Sequence, residues 1–146
     1  MSTKELMEEI VKNMKRWQAI EDSAISSTGK IIEKTDNPLI RMVMEIIQHD
    51  SQMHHRVQEF ISRSLTEESI AITPEDLEKV WSEVENHIRI EEKTIEMAEK
   101  SLEGLKGRKL VVPEYFLHYL LKDENKHNSL LQDLEVIKKN MYPYGS

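Results

Sequence analysis

Cysteine is absent from the 146 residues. Its absence removes a disulfide framework, a zinc ribbon, a rubredoxin-type module, an iron–sulfur centre and a thiol nucleophile together. Glycine and proline number only 4 each and aromatic residues make up 5%. No apolar run approaches the ~20 residues of a membrane-spanning helix. Collagen-like, low-complexity and transmembrane chains are thereby excluded. The opening MSTKELMEEI has no apolar stretch to serve as a signal-peptide core, so the expected location is the cytoplasm. Basic residues are in the minority, with 20 Lys+Arg against 27 Asp+Glu for a net charge of -7. They form no clustered stripe, so neither nucleic acid nor an anionic membrane is expected as the main partner.

What is present is helix. Hydrophobic residues make up 38% and charged residues 32%, a balance that suits solvated amphipathic helices. The length fits a single domain, 1–146. Apolar residues recur at three- and four-residue spacing in four segments, approximately 3–34, 38–64, 74–103 and 113–140. Thr35-Asp36-Asn37-Pro38 ends the first and caps the second. Thr73-Pro74-Glu75-Asp76 opens the third, Gly104 and Gly107 stop it, and Pro113 opens the fourth. Only Leu110-Val111-Val112 hints at a strand. The fold class expected is all-α, a four-helix bundle built from two similar helical hairpins.

The stripes facing inward are apolar at their ends and polar in the middle. Helix one presents Leu6, Ile10, Met14, Trp17, Glu21, Ala24, Thr28 and Ile31, and helix two presents Ile40, Val43, Ile47, Ser51, His54, Val57 and Ile61. Helix three runs from Leu77 through Val84, His87, Glu91, Thr94 and Ala98, and helix four from Leu117 through Leu120, Glu124, His127 and Leu131. The halves look duplicated: Ile20–Ile25 aligns with Ile90–Ile95 at an offset of 70, and His49–His54 with Lys122–His127 at an offset of 73. Counted from the turns at 1.5 Å per residue, Glu21 falls level with His54, and Glu91 level with Glu124 and His127, within about one turn. Buried carboxylates among leucine and isoleucine are costly unless paired or bound to a cation. Gathered acids and imidazoles therefore point to a metal.

This constellation resembles the ferritin-like carboxylate-bridged dimetal proteins, particularly the small rubrerythrin-like members. Their pattern is a Glu from each of two helices and Glu-x-x-His from each of the other two. Glu21 and Glu91 fill the first pair of positions, and Glu124-Asn125-Lys126-His127 is an intact motif. Ser51-Gln52-Met53-His54 keeps the histidine and replaces the acid. The resemblance implies metal ligands Glu21, His54, Glu91, Glu124 and His127, with iron or manganese as the ions and oxygen or peroxide as the reactant. Glu124 would then bridge, His54 and His127 would be terminal donors, and Glu21 and Glu91 terminal or shifting carboxylates. Zinc fits the same residues without redox chemistry. Ser51 leaves a dinuclear and a mononuclear centre both open. Asp50, one residue away, and His87, one turn before Glu91, are the candidates for additional or supporting ligands.

The activity expected is that of a metal-dependent oxidoreductase, reducing oxygen or peroxide or oxidising ferrous iron. The alternative is a non-enzymatic binding or regulatory bundle whose polar centre only fixes helix pairing. A homodimer is the commonest oligomer to expect. His49, His55 and His118 fall off the inward stripes and read as surface residues, Trp17 and Trp81 as core or interface anchors, and the 8 methionines as core filling. A hemerythrin-like set built on His55, Glu59, His118 and Asp123 fails because helix one contains no histidine.

Overall fold

The computed structural model describes residues 1–67 and 72–141. Four helices account for nearly all of them: α1 (Thr3–Lys34), α2 (Pro38–Thr66), α3 (Pro74–Leu105) and α4 (Val111–Met141). There is no strand among the described residues. The chain divides into two compact units, Met1–Ala71 and Ile72–Ser146. In the first, α1 pairs with α2; in the second, α3 pairs with α4. Residues 68–71, including Ile70 and the link whose path distinguishes a ferritin-like crossover from up-down-up-down order, lie outside the described residues, as do the terminal Gly145-Ser146. No helix of the described residues is long and apolar enough to cross a membrane.

The caps explain where the helices begin. Ser2 and Glu5 form a reciprocal capping box at α1, and Thr73 and Asp76 form another at α3. Asn37 accepts from the backbone N–H groups of Leu39 and Ile40, with Pro38 in the first turn. Each box satisfies two amides that the helix itself cannot. Bonding from the Thr73 backbone N–H, the largest cause, with the Thr73 side chain adding to it, holds the Asp76 carboxyl below its ordinary range. Thr73→Ala should lower stability by about 1 kcal/mol in a denaturant titration; an unchanged midpoint would deny the cap any energetic role.

Boundaries differ from the sequence expectation by about two residues at the end of α2, which runs on to Thr66, and on either side of the α3–α4 turn. Gly104 lies inside α3, which ends at the cap Lys106, and Gly107 supplies the left-handed turn at φ 74°. This is the residue after the cap, where glycine is favoured because it lacks a Cβ. Leu110-Val111-Val112 is no strand: α4 starts at Val111, and Pro113 sits in its first turn, where a missing N–H costs no helical bond.

Burial within the hairpins also differs from the expected stripes. The buried positions recur every seventh residue: Met14, Glu21 and Thr28 on α1; Ser51 and Gln58 on α2; Leu77, Glu91 and Ala98, with the half-buried Val84 between, on α3. Leu6, Trp17, Ile31, Ile40, Ile47, Val57 and Leu120 are exposed. A pair of helices buries only a narrow heptad seam, whereas the three- and four-residue reading picks out a wider face. Hairpin one is further registered by polar ties. Gln18 donates to the His55 carbonyl at 3.2 Å, Gln48 to that of Ile25 at 3.2 Å, and Arg41 to that of Ile32 at 2.8 Å. These pairings run antiparallel, and each satisfies a long side chain against backbone.

Candidate metal centre

Glu91 sits on the seam of α3, the only one of its turns where a heptad position carries an acid. It is 5% exposed. Its Oε1 lies 2.9 Å from His87 Nε2, one turn earlier on the same helix, and 3.5 Å from His127 Nδ1 on α4. Its Oε2 is buried without a hydrogen-bond partner. An unsatisfied buried acceptor costs roughly 1–3 kcal/mol, and more if charged.

Glu124 approaches from α4. Its Oε2 accepts from the Thr94 hydroxyl at 3.0 Å and lies 3.7 Å from His127 Nδ1. Sharing a proton with Glu91 pushes the Glu124 carboxyl above its ordinary range, and burial adds to the shift. The same shared proton, with help from His87 and His127, holds Glu91 below that range against the opposing effect of burial. With both groups ionised they only repel, and Glu91 Oε2 is left orphaned. A proton fills the gap between them; so would a cation.

The orientation of His127 favours a cation. Its Nε2 lies 3.3 Å from Asp123 Oδ2, one turn earlier, while Nδ1 faces the two glutamates. With its proton on Nε2, on the side of Asp123, the ring turns an Nδ1 lone pair toward Glu91 and Glu124. That is how a carboxylate orients a metal-binding imidazole. Glu91, Glu124 and His127 each offer a ligand atom within 4.8 Å of the others. Donors on opposite sides of an ion with bonds of about 2.1 Å stand about 4.2 Å apart, so little adjustment would be needed to close on one.

Hairpin one repeats the arrangement with different chemistry. Glu21 is 7% exposed and lies 3.4 Å from His54 Nδ1, the counterpart of the 3.5 Å contact between Glu91 and His127. Here the indole N–H of Trp17 donates to Glu21 Oε1 at 3.1 Å, from the position that His87 occupies in hairpin two. Trp17 is 50% exposed and works as a hydrogen-bond donor rather than the expected core anchor. Ser51 is buried.

The structure thus brings Glu21 to His54, and Glu91 to Glu124, His127 and His87. Asp50 makes no ion pair or hydrogen bond among the described residues; its counterpart Asp123 clamps a histidine. The i, i+4 spacing of Asp123 and His127 was the available signal for that clamp, and Thr94 was visible only as a polar residue on the stripe. His49 and His118 are exposed, while His55 is half-buried beside Asp22 at 3.5 Å. Trp81 lies under Lys138 Nζ at 4.7 Å and donates to Glu85 at 2.8 Å. No protein-family model, curated protein or solved structure matches the chain.

Proposed function

We propose that this chain is a metal-binding protein of ferritin-like, rubrerythrin-like design, with Glu91, Glu124 and His127 as ligands on hairpin two. The observation that carries this is the buried, unpartnered Oε2 of Glu91, level with a second carboxyl and an imidazole whose other nitrogen is already held. The ferritin-like reading draws support from the repeat itself, in which a glutamate on one helix faces a histidine on the next in both hairpins. Iron or manganese held by mixed oxygen and nitrogen donors supplies redox chemistry toward oxygen or peroxide, with the chain acting as an oxidoreductase; zinc would supply none. The chain's part is to hold the ligands. His87 bonds Glu91 Oε1, Thr94 fixes one Glu124 oxygen, and Asp123 sets the ring of His127.

Hairpin one favours a second reading for its own polar seam. Gln18, Gln48 and Arg41, each bonded to a backbone carbonyl of the facing helix, make it a registration device, as a non-enzymatic helical module would have. One experiment separates the readings for hairpin two. Protein produced in medium supplemented with iron, manganese and zinc is analysed for bound metal, wild type beside Glu124→Gln. The expected result is metal in the wild type and little in the variant. Equal metal content in both, or a metal-free wild type whose stability ignores all three ions, would leave only the registration role.

A further inference from the structure

We infer that each chain binds a single ion, on hairpin two, and that hairpin one has exchanged an equivalent ligand set for a cluster satisfied from within. This rests on the metal reading above and specifies its stoichiometry. The two offsets of the repeat match the positions one by one. Glu21 corresponds to Glu91, Trp17 to His87, Ser51 to Glu124, and His54 to His127.

Two of these exchanges remove coordinating power. Ser51 is a short neutral hydroxyl where hairpin two has a carboxylate. Trp17 carries an indole N–H, which donates and cannot ligate. What remains is one carboxylate and one imidazole, too few for a site. That carboxylate is moreover engaged: Glu21 Oε1 takes the Trp17 proton at 3.1 Å and faces His54 at 3.4 Å. The buried side-chain atoms without partners among the described residues are Gln58 Oε1, Ser62 Oγ, Glu91 Oε2 and Asn128 Oδ1. Neither oxygen of Glu21 is among them. Hairpin two keeps a buried carboxylate oxygen without a partner, which an ion would relieve; the unpartnered atoms of hairpin one, Gln58 Oε1 and Ser62 Oγ, are neutral, and neither belongs to the Glu21–His54 cluster.

The test is an anaerobic titration of the full chain with cobalt(II), followed by calorimetry and visible absorption. Wild type should take one equivalent. Glu21→Gln with His54→Ala should also take one, with affinity within about threefold. Ser51→Glu restores the missing acid opposite Glu21 and should raise the uptake to two. Two equivalents in wild type would overturn the inference while leaving the metal reading standing. So would loss of the site in the Glu21/His54 variant, or a folded Ser51→Glu protein that still takes one. If Ser51→Glu does not fold, the Glu21/His54 variant decides alone. A wild type that takes no cobalt overturns the metal reading, and the inference with it.

Discussion

Glu91→Leu should make the metal-free protein more stable and sharply weaken metal binding. The carboxylate is buried, one of its oxygens has no partner, and its neighbour Glu124 is an acid. Leucine at this heptad position removes the unsatisfied acceptor and adds apolar burial, each worth roughly 1–3 kcal/mol. The groups left behind are not stranded. His87 and His127 have 53% and 41% of their side-chain surface in solvent, so both are rehydrated easily. A net gain of about 2 kcal/mol is expected, read as a higher denaturation midpoint without metal. Metal affinity should fall by at least about 100-fold, the upper end of what loss of a mere supporting partner costs. The control is Glu92→Leu, one residue on and exposed, which should alter neither quantity much. If Glu91→Leu instead destabilised the metal-free chain and left metal uptake intact, the acid would be a helix-pairing residue and the metal assignment would be wrong.

The helices were legible because their signals are local. Asn37 and Thr73 each announce a cap within three residues, and the structure places helix starts at both. Boundaries failed where a residue has two compatible roles. Glycine inside a helix costs only about 1 kcal/mol, so Gly104 could be absorbed near the end of α3 while Gly107 took the left-handed turn. Proline is tolerated anywhere in a first turn, so Pro113 marked the start of α4 only to within two residues. The width of the buried face was not legible either. Periodicity shows which residues share a side; it does not say how many neighbours that side meets, and Trp17 and Ile47 are consequently exposed.

For the site, axial counting was enough to level Glu21 with His54 and Glu91 with Glu124 and His127, because rise per residue is nearly constant along a helix. Counting says nothing about which ring nitrogen faces inward. The distinction between Asp123 on one side of His127 and the glutamates on the other needed coordinates. The contrast between Trp17 and His87 was hidden for the same reason. Both stand one turn before a glutamate, and only the bonding shows that each already occupies one oxygen of that acid while Glu91 alone keeps an orphan.

Metal should stabilise the protein by an amount that grows with pH. At free metal a thousandfold above the dissociation constant, linkage gives about 4 kcal/mol, or a Tm rise on the order of 10 °C for a chain of this length. Without metal, the two glutamates act in opposite senses. The Glu124 pKa is raised above the ordinary 4.5, so its contribution is full below that value and is lost as pH rises through the raised pKa. The Glu91 pKa is lowered, so its contribution is full above 4.5 and is lost as pH falls through the lowered pKa. Above 4.5, therefore, the pair makes the metal-free protein less stable as pH rises. An ion needs both acids ionised and His127 neutral, so metal binding strengthens over the same interval. In thermal melts upward from pH 4.5, the metal-dependent increment in Tm should widen as Glu124 gives up its proton. In Glu124→Gln, which has no proton to give up there, the increment should be small throughout. An increment that is large and flat across pH in the wild type would mean that the ion binds elsewhere than between Glu91, Glu124 and His127.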